Sequence, residues 1–183
     1  MPDLSEEAEA TLLGFACEVV VAAVRRERAP APPPDAELRE PRGVFVSLHA
    51  RGRLRGCLGH IEADRPLVTA TATMAEAVTH EDPRFPPVRP DELDGMEVEV
   101  SVLSPLRPIA PDAVVPGRDG LMIRRGRCAG LLLPQVATEY RMDRRGFLDA
   151  LCQKAMLPPG AWRDPASELR GFTVQRSATT IRT

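Results

Sequence analysis

Apolar residues recur at the spacing of an amphipathic helix in three separate stretches of this chain. The first follows Ser5, the second starts at Pro66, and the third follows Asp143. Serine and aspartate cap helices through their side-chain oxygens, and proline suits the first helical position because it lacks an N–H. The pattern therefore predicts three helices packed against a core. Their core-facing positions are Leu12, Leu13, Phe15, Ala16, Val19, Val20 and Val24, then Leu67, Val68, Ala70, Ala72, Met74, Ala75, Ala77 and Val78, and finally Phe147, Leu148, Leu151, Cys152 and Ala155.

From residue 44 the apolar period changes to two, which is typical of a β-strand with one buried face. Two such runs, 44–49 and 54–58, predict a hairpin. A two-residue loop would place Leu54 opposite His49 and would mix polar with apolar residues on both faces. A three-residue loop instead pairs Leu48 with Gly56 and keeps the apolar residues on one face, so we favour this register.

The favoured register gives the hairpin a second, polar face. Ser47 is then across from Cys57, and His49 is across from Arg55. A thiol, a hydroxyl, an imidazole and a guanidinium therefore share one surface, which makes this face a candidate site.

Further strands are predicted in the rest of the chain. Residues 96–104 alternate most clearly, runs 120–124 and 128–133 suggest a hairpin turning at Arg125-Gly126, and 172–176 suggests a last strand. The strands occur as hairpins separated by helices, without repeated strand-helix-strand units. This arrangement favours an α+β fold with mainly antiparallel sheets flanked by helices.

Length and charge exclude several classes of protein. With 183 residues the chain can bury a full core, and its net charge of −2 is spread without the basic stripe that nucleic-acid binding requires. The first residues are acidic, unlike a secretory leader, and the apolar stretch 12–24 contains Glu18 and is too short to span a bilayer. We therefore expect a cytoplasmic protein with neither nucleic acid nor membrane as partner.

The four cysteines, at positions 17, 57, 128 and 152, are too widely spaced for a zinc knuckle or a redox pair. His60 forms a Cys-x-x-His pair with Cys57, but residues three apart on a strand point to opposite faces. We therefore expect free thiols and neither a metal nor another cofactor, with His60 at most a ligand-binding residue.

Cys57 has unusual neighbours for a strand residue, since Arg55, Gly56 and Gly59 surround it. In the functional interpretation Cys57 is a nucleophile activated by Arg55 and His49. Gly56 and Gly59 then leave room for a substrate and offer backbone N–H groups to an oxyanion. In the structural interpretation Cys57 is a packed thiol, and the glycines let a helix approach closely. The residues leave both interpretations open.

Three further residues are candidates with structural alternatives. Glu99 is a possible acid or base, although it also fits a solvent-facing strand position. His80 and Arg84 could line the same groove, Arg84 as an anion-binding group, although a rigid proline-rich loop over a core also explains this segment.

Five segments occur in the order typical of one family. They are Leu54-Arg55-Gly56-Cys57-Leu58-Gly59, Asp82-Pro83-Arg84-Phe85-Pro86-Pro87, Glu99-Val100-Ser101-Val102-Leu103-Ser104, Leu133-Pro134-Gln135-Val136 and Leu151-Cys152-Gln153-Lys154-Ala155. With these motifs the chain resembles the AMMECR-type domain family, whose bacterial members are labelled AmmeMemoRadiSam system protein A. The resemblance implies a two-lobed α+β domain over residues 1–183, with a smaller lobe within about 60–120. It also implies Memo-type and radical-SAM-type protein partners, and glycine is common in the family where Met156 stands.

Two hypotheses about function follow. In the first, the chain is a thiol-dependent enzyme in which Cys57 forms a covalent adduct with a small or peptidyl substrate. In the second, it is a binding or adaptor module whose groove holds a segment of a partner, and Cys57 contributes shape more than reactivity.

Overall fold

The computed structural model describes residues 3–182, which form two compact units. The first unit contains the described residues up to 103 together with those from 175 onward, and the second contains residues 104–174. The family resemblance implied a smaller lobe within about 60–120, and this range overlaps the second unit only over residues 104–120. The candidate site residues all belong to the first unit.

Most strands follow one another directly along the chain, and helices separate these groups of strands. Repeated strand-helix-strand units do not occur in the described residues. The helices are α1 Glu6–Arg25, α2 Leu67–Ala77, α3 Pro134–Glu139 and α4 Arg144–Lys154. The strands are β1 Val44–Ala50, β2 Arg53–His60, β3 Glu97–Leu103, β4 Arg107–Pro108, β5 Gly120–Arg125, β6 Cys128–Leu132, β7 Glu168–Phe172 and β8 Val174–Thr180. The predicted α+β class with antiparallel sheets is confirmed.

The three predicted helices form at the predicted places. The Ser5 side chain caps α1 by accepting a hydrogen bond from the Ala8 N–H at 3.2 Å, and Asp143 caps α4 through the Gly146 N–H at 2.7 Å. Pro66 is the residue before α2 rather than its first residue. Short helix α3 was not predicted, because six residues do not establish a helical period. No helix in the described part of the chain is both long and apolar enough to cross a membrane.

The first unit is built on a four-stranded sheet with the order β2-β1-β3-β8. Valines and leucines on one face of β1 and β3 are fully buried and share a core cluster with α1 and α2. The alternation that predicted these strands therefore separates this helix-covered face from a face that carries polar residues. That polar face holds Cys57.

The hairpin of β1 and β2 has the predicted register over most of its length. Leu48 is opposite Gly56, and Ser47 is opposite Cys57. A one-residue slip would turn the buried leucine out of the core, which is why the apolar pattern specifies this pairing.

Close to the turn, the predicted pairing of His49 with Arg55 is wrong. His49 lies opposite Leu54, because the turn contains only Arg51 and Gly52, both at positive φ (54° and 72°). Arg55 is the additional residue of a β-bulge. The bulge combines a tight two-residue turn with the register expected from a longer loop.

The second unit has its own sheet and core. Its strands follow the order β4-β7-β5-β6, and α4 contributes Phe147 and Leu151 to a cluster around Leu121 and Ile123. The hairpin of β5 and β6 turns one residue later than predicted, after Arg125. The predicted last strand proves to be the end of β7 and the beginning of β8, which belong to different sheets.

Candidate functional site

Cys57, Ser47 and Glu99 lie side by side on three adjacent strands, and we call them the Cys57 row. Ser47 on β1 is opposite Cys57 on β2 in one direction and opposite Glu99 on β3 in the other. Directly opposite residues have Cβ atoms roughly 5 Å apart, so each side chain can reach the next. Ser47 and Glu99 are buried, and Cys57 is half-buried.

Glu99 is held by polar partners on the same face of the sheet. The Ser101 hydroxyl donates to Oε1 at 3.5 Å, and Arg176 Nε on β8 lies 3.4 Å from Oε2. Only 9% of Glu99 is exposed. The alternative of a solvent-facing position therefore fits Glu97, which is exposed, but not Glu99.

Asp82, in the loop after α2, connects this loop to the backbone of Cys57. Its carboxylate is 3% exposed and accepts a hydrogen bond from the Cys57 N–H at 2.9 Å. It also accepts from the Arg84 N–H at 3.1 Å and from the Arg84 guanidinium at 2.9 and 2.7 Å. The Arg84 side chain above all, and the two backbone donors, keep the pKa of Asp82 well below its usual range even though burial opposes ionisation.

Arg84 reaches Cys57 from the same loop. Its Nη2 donates to the Cys57 carbonyl oxygen at 3.3 Å, and 56% of the side chain is exposed. The predicted anion-binding residue thus lies at the candidate site, with more than half of its side chain exposed.

The thiol of Cys57 is not activated in this arrangement. Burial raises its pKa, while a hydrogen bond with Ser47 and the positive charge of Arg84 act in the opposite direction. The carboxylates of Asp82 and Glu99 add to the increase. If Cys57 is a nucleophile, its thiol would therefore have to lose its proton during the reaction rather than before it.

Arg55 does not have the activating role that the sequence suggested. Its Nε and Nη2 donate to the Glu92 carboxylate at 2.9 and 3.2 Å, and its guanidinium also donates to the carbonyls of Pro86 and Pro87. This ion pair lowers the pKa of Glu92. Arg55 fastens the loop over β2, and Arg84 is the cation whose charge acts on Cys57.

The two glycines make room for protein rather than for substrate. A Cβ on Gly56 would come within 3.0 Å of both Val78 Cγ2 and the Val78 carbonyl at the end of α2, and one on Gly59 would overlap the Phe45 ring. The Cys57 N–H is already bound to Asp82. The close-packing interpretation therefore fits both glycines better than space for a substrate does. The oxyanion cradle, which was predicted at the N–H groups of Gly56 and Gly59, stays a prediction.

His49 lies two residues after Ser47 on β1, on the same polar face and nearer to the turn. Its Nδ1 is 3.6 Å from Glu97 Oε1, too far for a hydrogen bond, and it is buried with no hydrogen-bond partner among residues 3–182. The pairing with Leu54 takes His49 out of register with Arg55, because the bulge intervenes. An orienting role at Cys57 has no contact to support it.

The other two histidines bind their own neighbours. His60 Nε2 is 2.6 Å from Asp64 Oδ1, and His60 points to the face opposite Cys57, as two-residue periodicity requires. His80 contacts the Thr79 hydroxyl at 3.0 Å and lies 3.6 Å from Glu81. Within residues 3–182 no three His, Cys, Asp or Glu side chains are grouped to hold a metal ion.

The sequence assigned no catalytic or binding role to three residues of the site. Ser47 was placed opposite Cys57 on the candidate face by the predicted register, and that placement was its signal. Asp82 belongs to one of the five segments on which the family resemblance rests, and this was the signal for Asp82. Arg176 follows Cys57 by more than a hundred residues, and only the order of strands in the sheet brings it to Glu99.

Comparisons with known proteins agree with this fold. The family model described as AMMECR1 matches residues 13–177. A protein of Methanothermobacter thermautotrophicus is 46% identical over 155 residues, which cover 81% of this chain and 80% of the relative. A protein of Thermococcus gammatolerans is 44% identical over 177 residues, covering 90% and 86%.

A solved structure is also similar. The crystal structure of the uncharacterized protein PH0010 from Pyrococcus horikoshii has a TM-score of 0.88 and 37% sequence identity, and the match covers 96% of this chain and 93% of that one. The similarity therefore extends over nearly the whole chain.

Proposed function

The chain belongs to the AMMECR1 family, and we propose that in this domain Cys57 is a nucleophile acting on an electrophilic carbon of a small or peptidyl substrate. The observation that supports the proposal is the Cys57 row, in which a thiol, a hydroxyl and a buried carboxylate stand next to one another across three strands. A thiol whose pKa is raised needs a base when it attacks, and the row offers one.

The proposed step moves the thiol proton along the row. As Cys57 Sγ bonds to the substrate carbon, its proton passes to Ser47 Oγ, and the Ser47 proton passes to the Glu99 carboxylate. The leaving group departs with the electrons of its bond to carbon and takes the proton back from Glu99. The reaction is therefore a substitution at carbon that regenerates the Glu99 carboxylate and needs no oxidant or reductant.

Arg84 has a second part in the proposed function. Its charge stabilises negative charge at Sγ, which is why it lowers the pKa of Cys57 against the effect of burial. The Arg84 side chain is more than half exposed, so it can also bind an anionic group of the substrate. Asp82 is a positioning residue, since it holds Arg84 and the Cys57 backbone together.

We extend the proposal to the cellular setting that the family resemblance implies. The chain would act in the cytoplasm as the counterpart of AmmeMemoRadiSam system protein A, with a Memo-type and a radical-SAM-type protein as partners. One of these partners would supply or consume the group carried on Cys57.

A binding or adaptor module is the second possible function, and two observations favour it. The pKa of Cys57 is raised, and protein atoms fill the spaces beside Gly56 and Gly59. In that case Cys57 shapes the surface and forms no covalent bond.

The two functions are separated by labelling Cys57 in the folded protein. Cys17, Cys128 and Cys152 are replaced by serine or alanine, and iodoacetamide and a soluble acyl thioester serve as probes, with the site identified by mass spectrometry. The nucleophile proposal expects labelling of the native protein and a rate at least about tenfold lower in Glu99→Gln, measured under conditions in which both proteins are fully folded. Glu97→Gln, an exposed carboxylate two positions earlier on the same strand, is the matched control and should leave the rate unchanged.

Two results would contradict catalysis by Cys57. One is labelling that occurs only after the protein unfolds. The other is an equal rate in Glu99→Gln and Glu97→Gln, because Glu99 would then have no part in removing the proton. Either result would leave the adaptor function as the better interpretation.

A further inference from the structure

The two outer strands of the first sheet differ in how their edges are covered. The edge of β2 is covered by the loop after α2, because Asp82 and Arg84 bind the N–H and carbonyl of Cys57. On the other side, β8 has β3 as one neighbour and no further strand among the described residues. An open edge strand presents unpaired backbone groups on which another strand can form.

The second half of β8 lacks the features that usually protect an edge, whereas the first half has them. At its beginning, the Gln175 side chain binds the backbone N–H and carbonyl of Leu4 at 2.7 and 3.1 Å. Beyond Arg176 the strand continues as Ser177-Ala178-Thr179-Thr180, small or β-branched residues without proline or charge, and most of them are exposed. This part of the edge is therefore both available and suited to strand pairing.

A groove of about 460 Å³ opens beside this same part of β8. On one side it is lined by residues 179–182 at the end of the strand, and on the other by α1, including Gly14, Cys17 and Val21. Glu27, Arg28 and Pro30, which follow α1, also line the groove and add polar groups to it. Successive residues of the α1 set are three or four positions apart, about one helical turn, so the three side-chain positions form a continuous wall along the groove. The open edge and the apolar wall thus lie on the same surface of the first unit.

Gly14 lacks a structural reason within the described chain. It lies in the interior of α1, where glycine costs about 1 kcal/mol relative to alanine. A Cβ at this position would meet no atom within 4 Å, so no packing neighbour requires the missing side chain. Close approach of another molecule to α1 at this point would explain why the position carries no side chain.

We propose that an extended segment of a partner protein binds here as a fifth strand on β8, with its alternate apolar side chains in the groove against Gly14, Cys17 and Val21. The open backbone edge specifies an extended peptide, since its N–H and carbonyl groups need partners at strand spacing. The groove specifies apolar residues at every second position. This binding site is separate from the Cys57 row and does not depend on any chemistry there.

The test uses a short soluble peptide of alternating threonine and valine with a lysine at each end, and the full chain. Binding is followed by fluorescence anisotropy, and amide hydrogen exchange measured by mass spectrometry locates it. We expect the peptide to slow exchange in residues 177–182. The same peptide with its alternate amides N-methylated should not bind, because it cannot pair with a strand.

Two α1 variants test the groove itself. Gly14→Leu fills the open space and should weaken peptide binding by about tenfold or more. Ala10→Leu adds the same side chain one turn earlier, at an exposed position outside the groove lining, and should leave binding unchanged. Because leucine favours a helix more than glycine does, Gly14→Leu should fold at least as stably as the wild type.

Several results would overturn the proposal. Unchanged exchange in residues 177–182, equal affinity for the N-methylated peptide, or unaltered binding in Gly14→Leu would each contradict strand addition. Slow exchange at 177–182 without peptide, together with a concentration-dependent dimer, would assign the edge to a second copy of the chain instead. None of these results alters the expectation for Cys57 labelling, so the two proposals fail independently.

Discussion

Asp82 replaces a neighbouring strand at the backbone of Cys57. Its carboxylate accepts the Cys57 N–H at 2.9 Å, and Arg84, which the same carboxylate holds, donates to the Cys57 carbonyl at 3.3 Å. Side chains from one loop thus satisfy both outward-facing backbone groups of a residue in an outer strand. The loop fixes Cys57 in position and at the same time keeps other strands away from this edge.

Asp82→Asn should destabilise the first unit by about 2 kcal/mol at neutral pH, because a buried carboxylate that accepts charged hydrogen bonds is replaced by an uncharged amide. The folded state lowers the pKa of Asp82, so the stabilisation is complete above the ordinary carboxyl range and is lost as the pH falls below about 4. Urea unfolding at a series of pH values measures both effects.

A matched control for Asp82 is available in the same loop region. Asp91 forms an ion pair with Arg89 at 3.0 Å in which both side chains are exposed, so Asp91→Asn should leave the unfolding midpoint unchanged. Equal stability of Asp82→Asn and Asp91→Asn would show that the Asp82 contacts contribute nothing to the fold.

The Phe45 ring lies over Gly59 so closely that no side chain fits between them. Gly59→Ala should therefore cost about 1–3 kcal/mol of folding free energy through overpacking. In a Phe45→Ala background the same substitution should cost little, because the obstructing ring is gone. A double-mutant cycle by urea denaturation gives the coupling energy. If Gly59→Ala costs the same in both backgrounds, the ring is not the reason for the glycine.

The sequence predicts most of what periodicity and capping control. The three long helices, the first hairpin and its central register follow from the spacing of apolar residues, since a slip of one residue would turn Leu48 out of the core. The bulge at Arg55 is not encoded in that spacing. It arises because the Arg51-Gly52 turn and the apolar register differ by one residue, and the additional residue lets the hairpin keep both of them.

The candidate site was predictable only in part, for a related reason. Cys57, Ser47 and Glu99 share a face because strand residues alternate, and a sequence reveals that alternation. Which guanidinium acts on Cys57 depends on where the loop after α2 folds back. Arg55, adjacent in sequence, is occupied by Glu92, whereas Arg84 arrives from a loop that periodicity does not describe.

The pH dependence of Cys57 alkylation distinguishes the two arginines. In a variant with Cys57 as the only cysteine, the midpoint of the rate should lie above that of an ordinary thiol, because burial raises the pKa. Arg84→Ala should move the midpoint further up, since a lowering charge is removed, and Arg84→Lys should restore most of the difference.

Arg55→Ala is the control for this measurement. It should leave the alkylation midpoint unchanged and should instead lower the unfolding midpoint, because the loop loses its bonds to Glu92, Pro86 and Pro87. A shift of the alkylation midpoint in Arg55→Ala, with none in Arg84→Ala, would return the activating role to the residue that the sequence favoured.

Met156 ends α4 in a conformation that suits glycine. Its φ is 56°, and the hydrogen bonds from Met156 N–H to Gln153 and from Leu157 N–H to Cys152 form a Schellman motif around it. The side chain is 86% exposed and contributes little packing. Met156→Gly should therefore stabilise the second unit by about 0.5–1 kcal/mol, because a Cβ is disfavoured in this region of φ and ψ.

Met156→Ala separates backbone strain from the loss of an exposed side chain. It removes the same thioether but keeps the Cβ, so it should give no comparable gain in stability. Unfolding followed by the fluorescence of Trp162, the only tryptophan and a residue of the second unit, reports the stability of the part of the chain that changes. Equal stabilisation by glycine and alanine would attribute the gain to removal of the methionine side chain rather than to the left-handed backbone.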